Sequence, residues 1–249
     1  MPPRIAIPMP HSTNLEYGQR AIPQYERAIE LGGGLPVRIP LGKTPAELKK
    51  IVESCDGVLL PGSNADVNPV KFNQSTSPHT AAADARREEV DFYLLDDAYA
   101  RRKPVLGICY GLQSLNVYRQ GSLIQHIPDF LPQAARSKVD HEAGRKVAVA
   151  HTVEIDRESL LGQIVNVAPS DGGEGIITVP VNSSHHQSAE TTGEGLRIVA
   201  HCPEDGIIEA LEGTTPDHFV LAVQWHPERS VDQDEYSRAI FRALIQAAK

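Results

Sequence analysis

Cys109 stands in the pattern Gly107-x-Cys-x-Gly111, where an apolar run ends and an amphipathic segment begins. A nucleophile at a strand-to-helix turn needs neighbours without side chains, because the backbone there is strained. The amino end of the following helix favours a thiolate, so we expect a lowered pKa for Cys109. The Tyr110 N–H is expected to donate a hydrogen bond to an oxyanion. This spacing indicates nucleophilic catalysis, and a small buried hydrophobe is the alternative interpretation.

His226 could serve as the base for this cysteine, since it follows the apolar run Phe219–Val223 and precedes Glu228 by two residues. Side chains two apart in an extended stretch share a side, so the carboxylate could hold the imidazole in one tautomer. The alternative is a surface histidine beside a solvated carboxylate. Functional groups gather at the carboxyl ends of parallel strands, so we expect His226 and Cys109 to meet.

Two further segments are candidates for the walls of a site. Gly62 follows another apolar run, and its N–H or that of Ser63 is expected to be a second oxyanion donor; a plain Pro-Gly turn is the alternative. His185 and His186 lie in the polar segment VNSSHHQS, residues 181–188. Neighbouring side chains in an extended chain point to opposite faces, so this pair would chelate a metal poorly. We interpret the segment as a wall of a substrate pocket.

We expect no metal site and no cofactor, because the remaining histidines that we considered show no ligand spacing: His79, His141, His151, His201 and His218. The three cysteines, an odd number, are widely separated and do not form a disulfide framework.

Short apolar runs alternate with amphipathic stretches, which predicts an α/β protein. The polar loop from Gly62 to Thr80 is long for a connection, and we expect it to form a rim or lid over the pocket. No linker divides the chain, so one domain is predicted over residues 1–249. The predicted strands are Arg4–Pro8, Leu35–Pro40, Asp56–Leu60, Pro104–Ile108, Lys146–Ile155, Leu196–His201, Ile207–Leu211 and Phe219–Gln224. The predicted helices are Leu15–Leu31, Thr44–Ser54, Asp84–Arg102, Tyr110–Gln120 and Asp232–Ala248.

Composition narrows the class of protein. The 249 residues are 41% hydrophobic and carry a formal net charge of −8, with no block of Lys and Arg, so a nucleic-acid partner is not expected. No apolar run approaches the roughly 18 residues that span a bilayer, and the amino terminus lacks the long apolar region of a secretory signal. We therefore expect a cytoplasmic protein without a membrane partner.

These motifs together resemble the class I glutamine amidotransferase-like superfamily. Within it they are most similar to the peptidase C26 group, of the γ-glutamyl-γ-aminobutyrate hydrolase type. The matching segments occur in the family's order and span most of the chain: LLPGSNADVNP (59–69), GICYGLQSLNV (107–117), GSLIQHIPD (121–129), VNSSHHQS (181–188) and VQWHPER (223–229).

The resemblance implies a three-layer, flavodoxin-like α/β sandwich with a central, mainly parallel sheet. It also implies a triad in which Cys109 is the nucleophile, His226 the base and acid, and Glu228 the group that orients it. By the same match, Gly62 and Tyr110 supply the oxyanion donors. Gln113 and His185 would contact the substrate.

Three positions depart from the subgroup's pattern. Tyr110 stands where the subgroup usually has Arg, Gln120-Gly121 replaces Gly-Gly, and His126 replaces Asp after Gln125. A tyrosine at 110 would change size and charge beside the nucleophile, which puts the substrate in question.

The expected activity is hydrolysis of the γ-glutamyl amide bond of a small γ-glutamyl amine, through a thioester on Cys109. One alternative is the glutaminase subunit of an amidotransferase that passes ammonia to a synthetase partner. A second is a non-catalytic binding protein on the same scaffold. A small-molecule substrate and a homodimer are the expected partners, the dimer on frequency alone.

Overall fold

The computed structural model describes residues 1–136, 138–165 and 175–249. Residue 137 and residues 166–174 of the predicted domain lie outside these ranges. The strands are β1 (Arg4–Pro8), β2 (Leu35–Ile39), β3 (Gly57–Leu60), β4 (Val105–Ile108), β5 (Leu123–Ile124), β6 (His151–Asp156), β7 (Ile176–Val181), β8 (Ser188–Ala189), β9 (Leu196–His201), β10 (Ile208–Gly213) and β11 (Val220–Val223). The helices are α1 (Leu15–Leu31), α2 (Pro45–Val52), α3 (Ala85–Arg101), α4 (Tyr110–Tyr118), α5 (Ile127–Phe130), α6 (Leu160–Val165) and α7 (Glu235–Ala247).

The main sheet has two halves of opposite character. Within the described ranges its strand order is β2-β1-β3-β4-β11-β10-β9-β6-β7. The first five strands pair in parallel, with Val220 opposite Val105 and Val223 opposite Ile108. The remaining four extend the sheet with antiparallel pairs. The carboxyl ends of β3, β4 and β11 therefore lie side by side at one edge.

Helices cover both faces of this sheet. On one face, Ile22 of α1 and Phe241 of α7 pack against Ile5 of β1. On the other face, residues of α2, α3 and α4 pack against Ala6 of the same strand. Since successive side chains of a strand point to opposite faces, β1 is buried on both sides. The predicted three-layer α/β fold with a central, mainly parallel sheet is confirmed.

Most predicted elements are found close to their predicted bounds. Thr44 begins α2 with a capping box, in which it accepts from the Glu47 N–H and the Glu47 carboxylate accepts from the Thr44 N–H. The strand predicted over Lys146–Ile155 is wrong in its first part, because β6 begins at His151. The short elements β5, β7, β8, α5 and α6 were not predicted. None of the helices in the described ranges has the length and apolar character needed to cross a bilayer.

Candidate functional site

Cys109 occupies the turn between β4 and α4, with φ +53° and ψ −106°. This left-handed conformation is rare for a residue with a side chain. Two glycines make the turn possible. A Cβ on Gly111 would lie 2.1 Å from the Leu60 carbonyl oxygen, and a Cβ on Gly107 would lie 2.8 Å from the Gly111 carbonyl oxygen. The predicted need for side-chain-free neighbours is thus confirmed by backbone contacts on both sides of the cysteine.

The resting state of Cys109 differs from the sequence expectation. Burial raises the pKa of its thiol to about 12, and this outweighs the lowering effects of Arg229 and of the Tyr110 N–H. The expected lowering of this pKa is therefore not found, because desolvation of the buried thiolate outweighs the groups that favour it. Cys109 rests as a thiol and needs a base.

His226 and Glu228 form a buried pair, 2% and 4% exposed. Nδ1 of His226 lies 2.8 Å from Oε1 of Glu228. The sequence predicted an extended stretch for this pair, and that prediction is wrong. A 3-10 turn over Pro227–Arg229 brings Glu228 back beneath the imidazole instead. Burial lowers the pKa of His226 below its usual value, although Glu228 opposes this. The ring is therefore neutral at pH 7, and Nε2 is free of the carboxylate.

Asn182 fixes the backbone of His226 and was not singled out from the sequence. Its side-chain amide donates to the His226 carbonyl (2.9 Å), and its Oδ1 accepts from the His226 N–H (3.0 Å). The two bonds set the position of the imidazole. The segment 181–188 had been interpreted as a pocket wall, but nothing in its pattern showed that its asparagine would support the histidine.

Gly62 lies between the nucleophile and the histidine. A Cβ at this position would be 3.0 Å from His226 Cε1 and 3.7 Å from Cys109 Cβ. The structure thus brings together the three strand ends that were predicted to meet. However, the Gly62 N–H donates to the Tyr25 hydroxyl (3.0 Å), so the predicted oxyanion donor already has a partner. We call Cys109, His226 and Glu228 the Cys–His centre.

The Tyr110 ring packs against Arg87, and the residue also lines the cleft. The residue is 1% exposed, and the Arg87 guanidinium lies 4.8 Å from the ring centroid. Arg87 is itself fully buried, bonds Asp91 at 2.6 Å and donates to the carbonyls of Pro10 and Pro61. The Tyr110 side chain is part of a packed stack, and its expected effect on the choice of substrate stays a prediction. Sequence patterns did not reveal Arg87, since a charged residue in a helix usually faces solvent.

The Cys–His centre opens into a cleft of about 250 Å³. Both predicted substrate contacts, Gln113 and His185, line this cleft. The Gln113 amide nitrogen donates to the Gln187 carbonyl (3.1 Å) and to Gln224 Oε1 (3.3 Å), which leaves its carbonyl oxygen for a ligand. The rest of the wall includes Tyr17, Ser63, Asn64, Arg145, Ser184 and Arg229.

The loop after Gly62 forms part of the cleft rim. Its first residues, Ser63 to Asp66, line the cleft, and a 3-10 helix follows over Pro69–Phe72. The loop is tied down at its far end, where Gln125 Oε1 accepts from the Ser77 N–H (2.9 Å) and the Thr80 hydroxyl (2.8 Å). The rim is thus found, and the lid stays a prediction.

A second group of polar side chains comes together behind the cleft wall. His141, His151, His185 and Glu209 are all buried, and one nitrogen or oxygen from each lies within 4.8 Å of the others. We call these four residues the histidine cluster. The spacing along the sequence did not indicate this group, which could hold a metal ion, and the expected absence of a metal stays a prediction. By contrast, His185 and His186 diverge as predicted, since His186 Nε2 lies 3.1 Å from Asp66.

Comparisons with known proteins agree with this geometry. The family model "Peptidase C26" matches residues 6–228. The "Putative glutamine amidotransferase Rv2859c" of Mycobacterium tuberculosis is 36% identical over 90% of this chain and 66% of that protein. The gamma-glutamyl-gamma-aminobutyrate hydrolase PuuD of Escherichia coli K12 is 31% identical over 91% of this chain and 85% of that protein.

Solved structures show the same fold at low identity. The glutaminase domain of Trypanosoma brucei CTPS, with bound acivicin, superposes with a TM-score of 0.61 at 17% identity, covering 99% of this chain and 93% of that chain. The family match spans most of the chain, including both segments of the Cys–His centre. The chain belongs to the peptidase C26 family and is a glutamine amidotransferase-like hydrolase.

Proposed function

We propose that this protein hydrolyses the γ-glutamyl amide bond of a small γ-glutamyl amine and releases glutamate. The observation that supports this most strongly is the burial of a strained cysteine and a carboxylate-bound histidine around one glycine, Gly62. Such a group serves acyl transfer, because a nucleophile, a base and an orienting carboxylate converge there. The relative PuuD, named as a γ-glutamyl-γ-aminobutyrate hydrolase, supports this substrate class.

In the proposed first step, His226 Nε2 takes the thiol proton while Cys109 Sγ attacks the γ-carbonyl carbon. Glu228 stabilises the imidazolium that forms. The C–N bond then breaks, the imidazolium gives its proton to the leaving amine, and a γ-glutamyl thioester remains on the sulfur. Water attacks the thioester, His226 accepts a proton from it, and the collapse of the second intermediate returns a proton to the sulfur and frees glutamate.

The oxyanion of both intermediates would be held by backbone N–H groups. The Tyr110 N–H already forms a hydrogen bond with Cys109, which lowers the pKa of that thiol. The Gly62 N–H would exchange the Tyr25 hydroxyl for the oxyanion as charge develops. Each such donor is typically worth about 3 kcal/mol of barrier.

The cleft walls suit a glutamyl group. The free carbonyl oxygen of Gln113 can accept from the α-ammonium, since both hydrogens of its amide are used within the protein. Arg145 and Arg229 lie on the wall and can attract the α-carboxylate. His185 stays a predicted contact through its ring carbons, because its nitrogens face Gln187 and Glu209.

The first experiment is glutamate release from a panel of γ-glutamyl amides, with free glutamine and with Cys109→Ala as the control. We expect cysteine-dependent release from at least one amide and poor release from glutamine. Activity on glutamine alone would transfer the assignment to the glutaminase subunit of an amidotransferase. Acivicin, which the CTPS glutaminase domain binds, provides an independent probe. Failure of acivicin to label Cys109, together with no release from any amide, would favour a non-catalytic binding protein.

A further inference from the structure

The four residues of the histidine cluster point their inner polar atoms at one another. Nδ1 of His141, Nε2 of His151 and Nε2 of His185 lie 3.4, 3.5 and 3.6 Å from Oε1 of Glu209. None of these three nitrogens, and neither oxygen of Glu209, has a hydrogen-bond partner among the described residues. Buried polar atoms without partners are costly. Five of them at one point therefore require an explanation.

The outer nitrogens of the same rings are all engaged. Nε2 of His141 lies 2.9 Å from Asp205 Oδ2, Nδ1 of His151 lies 3.0 Å from the Thr152 carbonyl oxygen, and Nδ1 of His185 lies 2.9 Å from the Gln187 carbonyl oxygen. A carbonyl or carboxylate oxygen only accepts, so each outer nitrogen carries the proton. Ring nitrogens that bind a metal have this kind of outer partner almost without exception.

This tautomer fixes what the inner atoms present. A neutral imidazole that donates through its outer nitrogen has a lone pair on the inner one. Three lone pairs would then face a carboxylate, which is repulsive unless a cation lies among them or the rings are protonated. A proton on His141 is one such cation, because burial is outweighed by hydrogen bonds with Asp205, Cys202 and Glu209 that raise the pKa of His141 to about 11. One divalent ion would replace that proton and satisfy all four groups.

The three distances from Glu209 Oε1 are compatible with a tetrahedral ion, and all four ligand atoms lie within 4.8 Å of one another. With metal–ligand bonds of about 2.0–2.2 Å, the ligand atoms of a tetrahedral Zn²⁺ site are separated by about 3.3–3.6 Å. The three separations from Glu209 Oε1 fall at or close to this range. We propose that the histidine cluster binds one Zn²⁺ ion, with His141, His151, His185 and Glu209 as its four ligands. Four protein ligands leave no open position, so the ion is structural.

The cluster has a route by which an ion can enter. His141 and His185 line a cavity of about 210 Å³ that does not include Cys109. Asp140 and Glu142 line the same cavity and would attract a cation, although Arg136 of the same lining opposes them.

The proposed ion would connect two strands to two segments of chain that have no regular secondary structure. Glu209 belongs to β10 and His151 begins β6, whereas His141 and His185 lie in irregular chain. The His141 carbonyl already accepts from the His185 N–H (2.8 Å) and the Ser183 hydroxyl (2.8 Å). Zn²⁺ would anchor this wall of the cleft to the antiparallel half of the sheet.

The test begins with the wild-type chain. After removal of metals with a chelator, equilibration with Zn²⁺ and gel filtration, we expect one zinc per chain by mass spectrometry of the elements. Glu209→Gln and His151→Asn should bind zinc at least about 100-fold more weakly, because each removes a ligand. The control is His201→Asn, since this exposed histidine of β9 pairs with Glu154 outside the cluster and should leave zinc binding unchanged.

Co²⁺ provides a readout of geometry in the unmodified protein. We expect the intense visible absorption of a tetrahedral ion, displaced by an equal amount of Zn²⁺. A wild-type chain that retains no zinc, an octahedral Co²⁺ spectrum, or folded Glu209→Gln and His151→Asn proteins that bind as the wild type does would each overturn the proposal. If both variants fail to fold, anomalous scattering from a wild-type crystal decides: an ion elsewhere refutes the site. None of these readouts depends on turnover.

Discussion

The Cys–His centre and the histidine cluster lie on either side of one cleft wall, but they are built in different ways. The Cys–His centre forms where parallel strands end: Cys109 follows β4 directly, and His226 and Glu228 lie in the chain just after β11. The histidine cluster draws its four residues from four separate segments of the antiparallel half and its loops. A parallel sheet thus gathers functional groups by topology alone, whereas the second group depends on how irregular chain packs.

The two groups also differ in their hydrogen bonds. His226 Nδ1 has its carboxylate partner at 2.8 Å, while the inner nitrogens of the cluster face Glu209 without a hydrogen bond. The first arrangement is complete for proton transfer, and the second is complete only with a cation. The segment 182–187 joins them, since Asn182 holds His226 and His185 belongs to the cluster.

The largest expected effect separates the two regions by activity. Cys109→Ala should lower turnover of the γ-glutamyl substrate by about 10⁴-fold or more, because no other group can form the thioester. Zinc content and thermal stability should stay at the wild-type level. Cys55→Ala, a buried cysteine away from the cleft, is the matched control and should keep full activity. Residual turnover comparable to the wild type would remove Cys109 from the chemistry.

A smaller but still large effect is expected at the point where the strand ends meet. Gly62→Ala would place a methyl group 3.0 Å from His226 Cε1 and from the Tyr25 hydroxyl, so the imidazole must shift. A shift of the imidazole away from its present position should lower kcat/KM by about 100-fold. Gly42→Ala is the control, because its new Cβ would only meet Arg86 at 3.9 Å. Equal kinetics for the two variants would show that His226 does not need its present position.

The segment that joins the two regions should give an intermediate effect. Asn182→Ala removes both bonds to the His226 backbone and should lower kcat/KM by about tenfold, since a buried peptide loses its partners. Asn182→Asp keeps the acceptor for the His226 N–H but cannot donate to its carbonyl, so we expect a smaller loss. A fall in zinc content with Asn182→Ala would show that the segment moves as one unit. Unchanged kinetics in both variants would contradict the positioning role.

The smallest expected change concerns pH. Because burial lowers the pKa of His226 and raises that of Cys109, the free enzyme should hold a neutral imidazole and a thiol over a wide range. Protonation removes the base, so kcat/KM should fall only below the usual histidine pKa of about 6.5. Between pH 7 and 9 we expect it to change by less than about twofold. A rising limb near the pKa of a free thiol, about 8.5, would contradict this protonation state.

The sequence was informative wherever the chemistry depends on neighbours along the chain. Gly107, Cys109 and Gly111 are local, and so is the pair of His226 and Glu228, which made both segments recognisable. The sequence could not show that burial would dominate the pKa of Cys109, since burial depends on the whole fold. It also could not show the histidine cluster, because His141, His151, His185 and Glu209 share no spacing.

The same limit applies to the elements. Long amphipathic helices such as α1 were predicted to their ends, since the period of their apolar residues is unambiguous. The two-residue strands β5 and β8 have no period, and they form only because each pairs with the other.

The stack of Tyr110 on Arg87 has a consequence for engineering this enzyme toward other amines. The position directly after the nucleophile is an obvious target for a mutant library, but here the tyrosine is buried against Arg87 even though it lines the cleft. Replacing Tyr110 would uncover a buried guanidinium that holds the carbonyls of Pro10 and Pro61. Selection at this site would therefore report folding yield, and libraries aimed at specificity belong at Ser63, Asn64 and Arg145.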